Sequence, residues 1–226
     1  MNVKLDDRLL SAAAFVRPGD AVIDVGTDHA YLPVYLIKAG IASRALATDI
    51  NEGPLKNARE TVAANGLEGL ITTALANGLE GAEAFHADTV MICGMGGELI
   101  ADIMDRAPFL RDPHVRLILQ PMTFGDHLRE YLLSHGFRIL DEALSTDNKK
   151  LYTCICAEYD GITREYDEIE TMVGRHNLEK KDAPLRGAFL TREIRRLEVI
   201  AQGKESGGLD ATEERRLMDA LTKRLS

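Results

Sequence analysis

Apolar runs of strand length alternate with segments of helical periodicity through the first 160 residues. The pattern predicts strands at 21–25, 44–50, 70–75, 88–93 and 115–120, and helices at 5–16, 31–39, 52–65, 98–106 and 123–135. The glycines at 94–97 are expected to stop the fourth strand, and Pro121 to break the fifth. Parallel strands need long crossover connections, so this alternation predicts an α/β fold built on a parallel sheet.

Two further strands, 137–144 and 151–159, are separated only by the polar stretch 145–150. A connection this short joins an antiparallel pair. The first 160 residues therefore predict a doubly wound, mostly parallel seven-stranded sheet with an antiparallel edge strand.

The pattern becomes wholly helical after Gly161. Leu190, Ile194, Leu197 and Ala201 repeat at helical spacing, and residues 203–209 contain a glycine pair typical of a turn. We expect two domains, 1–160 and 161–226, the second carrying a C-terminal α-helical hairpin. The pattern fits a capping hairpin and an RNA-binding arm equally well.

Charge is distributed unevenly between these two regions. The chain of 226 residues has a net charge of −9, which disfavours nucleic acid as a partner. The first 160 residues account for all of it, whereas residues 161–226 carry equal numbers of acids and bases. Several bases of the second region are close in sequence: Arg175, Lys180, Lys181, Arg186, Arg192, Arg195 and Arg196. They fit either a solvated helix surface or an RNA-facing patch.

The composition also restricts location and metal binding. The three cysteines lack the spacing of a zinc site and are expected to be reduced thiols, so we expect no metal. No signal peptide precedes the first helix and every apolar run is too short to span a bilayer, so we expect a soluble, cytoplasmic protein.

Acids and glycines follow the predicted strands where ligands of open α/β sheets bind. Asp24 and Gly26 end the first strand, and Asp49 ends the second. A carboxylate at the position of Asp49 can accept both ribose hydroxyls of an adenosine group. Asp28 lies in the first turn and G-x-G-x-x-G is absent, which disfavours a dinucleotide because its pyrophosphate needs a turn free of negative charge. S-adenosylmethionine has no phosphate and carries a sulfonium and an ammonium, so we favour it as the cofactor.

Two more loops belong to the same predicted edge. Asn77 and Gly78 follow the third strand, where the amide can bond an adenine amino group. Residues 94–97, Gly-Met-Gly-Gly, follow the fourth strand and leave backbone exposed to line a slot for a flat substrate.

Four motifs together resemble a known family. They are DVGTDHAYLP at 24–33, ATDIN at 47–51, CGMGG at 93–97 and LQPM at 119–122. The chain is similar in these motifs, in its opening LDDRLL and in its helical extension to the bacterial tRNA (adenine-22-N1)-methyltransferases. The resemblance implies a Rossmann-like class I methyltransferase fold, S-adenosylmethionine as donor, N1 of a D-arm adenine in tRNA as acceptor, and a coiled-coil-like hairpin that contacts tRNA.

The resemblance also implies roles for individual residues. Matching positions make Asp24, Gly26, His29, Asp49, Asn77 and Gly94 cofactor contacts, and we expect Thr27, Ile50, Asn51, Gly78 and Met95 beside them to contribute. Asp28 and Tyr31 are implied near the substrate and are our catalytic candidates. The remaining substrate-binding candidates are Gly96, Gly97, Gln120, Pro121, Arg175, Lys180, Lys181, Arg192, Arg195 and Arg196. Asn77 departs from the acid that methyltransferases often have in this loop, but its amide can still accept a hydrogen bond.

The loop after the fourth strand favours a ring nitrogen as methyl acceptor. It lacks the Asn/Asp-Pro-Pro-aromatic sequence common in enzymes that methylate exocyclic amines. Adenine N1 carries a lone pair and no proton, so positioning and desolvation suffice. We hypothesise that Asp28 accepts from the adenine N6 amine and offsets the charge that methylation creates; it fits equally well as a partner of the cofactor's ammonium or as a helix cap.

Several alternatives remain open from the sequence. Tyr31 could either stack on the target base or pack as an aromatic side chain at the start of a helix. The position of His29 is more typical of a turn residue than of a catalytic acid or base. The function alternatives are a class I methyltransferase with another substrate and a nucleotide-binding module without catalysis. We expect tRNA as partner, no membrane contact, and a monomer or weak dimer.

Overall fold

The computed structural model describes residues 3–225. The described chain forms two compact units, the first ending at Glu165 and the second beginning at Tyr166. The first unit contains the following elements: α1 (Asp7–Ala13), β1 (Ala21–Val25), α2 (Tyr31–Lys38), β2 (Arg44–Asp49), α3 (Glu52–Ala64), β3 (Ile71–Leu75), β4 (Thr89–Gly96), α4 (Gly97–Asp105), β5 (Arg116–Thr123), α5 (Gly125–Ser134), β6 (Phe137–Asp147) and β7 (Lys150–Tyr159).

The seven strands form one sheet in the order β3-β2-β1-β4-β5-β7-β6. Strands β1 to β5 pair in parallel, and β7 is antiparallel to both β5 and β6. The predicted class I fold, mostly parallel with one antiparallel strand, is confirmed. The antiparallel strand lies one position in from the edge, because the crossover through α5 carries β6 past the neighbouring position and β7 returns into it.

The sheet is buried on both faces because helices cover each of them, and alternate strand residues point into one core or the other. On β1, Val22 packs in a core with residues of α1, α2 and α3, whereas Ile23 packs in a second core with residues of α4 and α5. All five residues of β1 are buried, as expected for a central parallel strand. This rigid centre fixes the positions of the loops at the carboxyl ends of the strands.

Strands β4 and β5 extend further than the sequence pattern predicts. The prediction that β4 ends at Cys93 and that Pro121 breaks β5 is wrong, since the pair continues to Gly96 and Thr123. The reason is an irregular ladder: Met95 pairs with Pro121, and the register shifts on both sides of Met95. A proline without an N–H is tolerated where regular ladder bonding is interrupted.

The second unit consists of α6 (Glu168–Val173), α7 (Arg175–Glu179), α8 (Arg186–Ser206) and α9 (Thr212–Leu225). Helices α8 and α9 pack against each other and form the predicted helical hairpin. The turn is shorter than expected, because α8 continues through Gly203 to Ser206. A backbone bond from Leu209 N to Lys204 O closes the helix, and the ion pair from Lys204 Nζ to Glu214, 2.6 Å, joins the two helices.

None of the helices within residues 3–225 combines the length and apolar character that crossing a bilayer requires.

Candidate functional site

A cavity of about 310 Å³ opens at the carboxyl ends of β1 to β4. It is lined by Val25, Gly26, Asp49, Ile50, Asn51, Ala76, Asn77, Gly78, Cys93, Gly94, Met95, Leu99 and Ile103. This is the edge of the sheet at which ligands of open α/β folds bind.

Eight of the eleven predicted cofactor contacts line this cavity: Gly26, Asp49, Ile50, Asn51, Asn77, Gly78, Gly94 and Met95. The other three, Asp24, Thr27 and His29, do not line it directly. Sequence reasoning missed the apolar wall that α4 supplies through Leu99 and Ile103. The amphipathic pattern of α4 was visible in the sequence, but which of its residues reach the cavity depends on where β4 ends.

Gly26 forms a wall of the cavity with bare backbone. Its φ is +72°, and the amides of Gly26 and Thr27 both donate to Thr48 O, at 2.8 and 2.9 Å. A Cβ at Gly26 would overlap the methyl group of Met95. Because this wall holds no side chain at Gly26, a ligand can approach the backbone closely.

Asp49 supplies the charge of the cavity. It is buried at the end of β2, its Oδ1 accepts from Asn51 N at 2.8 Å, and its carbonyl accepts from Ala76 N at 2.9 Å. Of the described residues that line the cavity, Asp49 alone is charged and none is basic. One fixed carboxylate beside apolar walls and exposed backbone fits the adenosine end of S-adenosylmethionine and offers no cation to a pyrophosphate.

Asp24 lies just behind the cavity wall, next to Val25 in β1. It is buried and its Oδ2 accepts from the Thr27 hydroxyl at 2.6 Å. Burial raises the pKa of Asp24 to about 7, with a further upward contribution from the charge of Asp49, and the Thr27 hydrogen bond opposes both. The free protein therefore holds a proton on Asp24 at slightly acidic pH.

We expect S-adenosylmethionine to bind more tightly as pH rises through 7. A positive ligand near Asp24 favours its ionised form, so binding below the raised pKa must release a proton and becomes weaker by up to about tenfold per pH unit. Calorimetric dissociation constants between pH 5.5 and 8.5 measure this effect.

Asp24→Asn supplies the control, because an amide cannot titrate and the pH dependence should flatten. The pKa of Asp24 also makes folding stability depend on pH, in the opposite direction to cofactor binding. Between the ordinary pKa of 3.8 and about 7 only the folded state holds the proton, so the free energy of unfolding falls as pH rises. A dissociation constant that does not change across this range in the wild-type protein contradicts the prediction.

The turn from Asp28 to Tyr31 has an unusual backbone. Asp28 and Ala30 have φ values of +50° and +56°, which non-glycine residues adopt rarely. Asp28 is exposed, and within the described chain no side chain caps α2, whose N-cap is Ala30. The geometry therefore does not support the helix-cap alternative for Asp28. The His29 ring stacks on Tyr31 with centroids 5.1 Å apart and planes within 11°.

The predicted substrate residues of the first unit lie around the irregular ends of β4 and β5. Gly97 begins α4 so close to Phe124 that a Cβ would overlap the Phe124 carbonyl oxygen, and a Cβ at Gly96 would lie 3.2 Å from Thr123 Oγ1. The packing of this segment thus requires a glycine at position 97, whereas a side chain at position 96 would need Thr123 to shift by a few tenths of an ångström. Pro121 is buried beside them.

Gln120 is fully buried, and its side chain bonds within the protein. Its Oε1 accepts from Arg8 Nη1 at 2.6 Å and from Gly94 N at 3.2 Å, and its Nε2 donates to Pro121 O at 2.9 Å. Through these bonds the Gln120 side chain holds the backbone of Gly94 in place. A direct contact between Gln120 and substrate stays a prediction. The sequence pattern did not single out Arg8, which α1 brings to this network.

The basic candidates of the second unit differ in their surroundings. Arg192 and Arg196 pair with the buried carboxylate of Glu193 at 2.7 and 3.0 Å, and Arg175 pairs with Glu170 at 3.1 Å. These three arginines are exposed to solvent, as are Arg195, Lys180 and Lys181. Pairing lowers the net positive charge that the first three residues offer to RNA.

The cysteines carry free thiols, as predicted. Burial raises the pKa of Cys93, with a further contribution from the charge of Asp24, so this cavity-lining thiol stays protonated at neutral pH. Within residues 3–225, no cluster of three or more histidine, cysteine, aspartate or glutamate side chains is arranged to hold a metal ion.

Comparison with known proteins agrees with this geometry. A family model described as a methyltransferase domain matches residues 5–155. A tRNA (adenine(22)-N(1))-methyltransferase of Bacillus subtilis (strain 168) is 35% identical over 191 residues, which are 84% of this chain and 76% of the relative.

Solved structures agree with the family match over nearly the whole chain. Streptococcus pneumoniae Sp1610 in complex with S-adenosyl-L-methionine has a TM-score of 0.86 at 32% identity, covering 99% of this chain and 100% of that one. The B. subtilis M1A22 tRNA methyltransferase TrmK has a TM-score of 0.82 at 30% identity, covering 99% and 97%. The chain belongs to the tRNA (adenine-22-N1)-methyltransferase family of class I S-adenosylmethionine-dependent methyltransferases.

Proposed function

We propose that the protein transfers a methyl group from S-adenosylmethionine to N1 of adenine 22 in tRNA. The observation that carries this proposal is the cavity at the sheet edge, which combines the single carboxylate of Asp49 with bare backbone at Gly26 and Gly94 and lacks a basic lining residue among those described. The family match supplies the acceptor, since the B. subtilis relative bears this activity in its name.

The proposed cofactor contacts follow from the geometry of the cavity. We assign the ribose hydroxyls to Asp49, the adenine amino group to Asn77, and the positively charged methionine end to the side of Asp24. Ile103 of α4 packs beside Gly78, so this helix supplies an apolar surface against which we expect the adenine ring of the cofactor to pack.

When bound, S-adenosylmethionine supplies an electrophilic methyl group: the N1 lone pair forms the new C–N bond while the electron pair of the C–S bond goes to sulfur. The protein does not need to remove a proton, because adenine N1 carries none. Its tasks are to hold the ring in line and to offset the positive charge left on it. Asp28 is exposed at the edge of the site and carries the opposite charge, so we assign it the second task.

The second unit is proposed to bind tRNA through its exposed bases, which include Arg195, Lys180 and Lys181. Because tRNA is found in the cytoplasm, we infer the same compartment for the enzyme. A monomer or weak dimer stays our prediction for the free protein, and light scattering would measure it.

Methylation of unmodified tRNA tests the proposed function. The purified protein should convert adenine 22 of a transcript to 1-methyladenosine, identified by nucleoside analysis, and should leave a transcript with guanine at position 22 unmodified. Methylation of both transcripts, or of another base, would favour the second candidate, a class I methyltransferase with a different RNA target. Binding of S-adenosylmethionine without methyl transfer to any tRNA would favour the third alternative, a nucleotide-binding module without catalytic activity.

A further inference from the structure

Phe124 is an exposed aromatic residue with strained backbone at the carboxyl end of β5. Its φ is +54°, a conformation that bulky residues rarely adopt, and 51% of its surface is exposed. The strained backbone opposes folding, and the half-exposed ring buries less apolar surface than a packed aromatic side chain would. Such a residue at a ligand-binding edge points to a function.

The backbone of Phe124 is held by contacts with α5 and with the start of α4. Its carbonyl accepts from Leu128 N at 3.1 Å in the first turn of α5, and the same carbonyl faces Gly97 so closely that a Cβ there would overlap it. Helix α5 is attached to β6 by the buried ion pair between Arg129 Nε and Glu142 Oε1, at 2.7 Å. The backbone that presents the ring is therefore well fixed.

The ring of Phe124 has a partner that orients it. It stacks on His127 with centroids 5.3 Å apart and planes 29° apart, and His127 Nδ1 lies 3.1 Å from Glu98 Oε1. A histidine held by a carboxylate thus supports one face of the aromatic side chain.

A second aromatic–histidine pair follows the strand on the other side of β4 in the sheet. The sheet order puts β4 between β1 and β5. Tyr31, stacked on His29, follows β1, whereas Phe124, stacked on His127, follows β5. The glycine segment at 94–97 lies between them, and its first two residues line the cofactor cavity.

A flat ring can stack on the free side of Phe124. His127 supports one face of the ring, and the 51% exposure of the residue leaves room for a second ring at the usual centroid distance of about 4.5–7 Å. A nucleobase is flat, aromatic and uncharged, as such a site requires, and enzymes that act on bases draw them out of the stack into pockets of this kind.

We propose that Phe124, supported by His127, stacks on the target adenine and forms one wall of a base slot beside the glycine segment at 94–97. This inference rests on the proposed function and adds a specific residue to it. The alternative use of an exposed aromatic residue is contact with another protein copy, and the experiment below includes that outcome.

Two substitutions of Phe124 test the stacking. Phe124→Asn removes the ring but suits the backbone, because asparagine adopts positive φ readily; Phe124→Tyr keeps the ring. Loss of one base–aromatic stack corresponds to about a 5- to 150-fold effect, so kcat/KM for tRNA should fall within that range in Phe124→Asn and stay within about threefold in Phe124→Tyr. The melting temperature of Phe124→Asn should equal or exceed that of the wild type, because asparagine relieves the backbone strain, and its dissociation constant for S-adenosylmethionine should match that of the wild type.

Leu70 offers a matched control. It is 46% exposed just before β3, away from the proposed base slot, so Leu70→Asn should leave kcat/KM unchanged. With 2-aminopurine at position 22 of the tRNA, the complex should be brighter in Phe124→Asn than in the wild type, because stacking quenches this base.

The possible failures can be distinguished. A wild-type protein that methylates no adenine in tRNA contradicts the proposed function itself. A wild-type protein that does, with Phe124→Asn equally active and equally quenched, overturns only the stacking inference. A change of oligomeric state in Phe124→Asn with unchanged kcat/KM also overturns it and identifies a protein contact.

Discussion

Asp49→Ala is expected to weaken S-adenosylmethionine binding by about 100-fold or more while the protein remains folded. Hydrogen bonds to a charged acceptor contribute about 1.5–3 kcal/mol each, and the proposed carboxylate accepts two from the ribose hydroxyls. Asp49 Oδ1 also holds Asn51 N at 2.8 Å, so the loop that begins α3 loses its anchor in the same variant. Isothermal titration calorimetry measures the dissociation constant.

Asp49→Asn separates the two contributions. The amide can keep the bond to Asn51 N and accept from one hydroxyl, so its dissociation constant should lie between those of Asp49→Ala and the wild type. Glu68→Ala, an exposed acid outside the cavity, makes the same charge change and should leave binding unaltered. If Asp49→Ala binds S-adenosylmethionine as the wild type does, the proposed orientation of the cofactor is wrong.

The residues at the strand ends were accessible to sequence reasoning because their positions follow from a simple rule. In a parallel sheet, the carboxyl ends of neighbouring strands meet at one edge, so Gly26, Asp49, Asn77 and Gly94 had to lie together once the strands were found. Local polarity and periodicity contain that information. The alternation of strands and helices gave the parallel part of the sheet in the same way.

Features that depend on packing between distant segments were not accessible. The extension of β5 through Pro121 requires the irregular pairing with Met95 of β4, and no local pattern indicates it. Arg8 reaches Gln120 across 112 positions of sequence, and the carbonyl of Phe124, whose φ is strained, packs directly against Gly97 of another element. In each case a tertiary contact overrides the local preference.

The distribution of basic residues in the sequence did not reveal which of them are paired with acids. The bases from Arg175 to Arg196 suggested an RNA-facing patch, but the sequence did not show that Arg192 and Arg196 share the buried carboxylate of Glu193. A search for acids at helical spacing would have found Glu193 as a partner of Arg196, three residues away, but not of the adjacent Arg192. The burial of Glu193, however, depends on the packing of the second unit.

Asp28→Gly is expected to lower kcat for tRNA methylation by about 100-fold with little change in the dissociation constant of S-adenosylmethionine. Removing one group that stabilises charge in the transition state typically costs about 10²–10³-fold in kcat. Glycine is the suitable replacement, because Asp28 has a φ of +50° and glycine adopts this conformation without the strain that alanine would add. Single-turnover rates with saturating tRNA measure the step.

Asp28→Asn distinguishes charge from hydrogen bonding. Asparagine also tolerates positive φ and keeps an oxygen that can accept from the adenine N6 amine, but it lacks the negative charge. If the charge offsets the positive methylated ring, Asp28→Asn should be slower than the wild type and faster than Asp28→Gly. If both variants instead lose affinity for S-adenosylmethionine in parallel with activity, Asp28 holds the ammonium group of the cofactor, and the role assigned to it at the acceptor base is refuted.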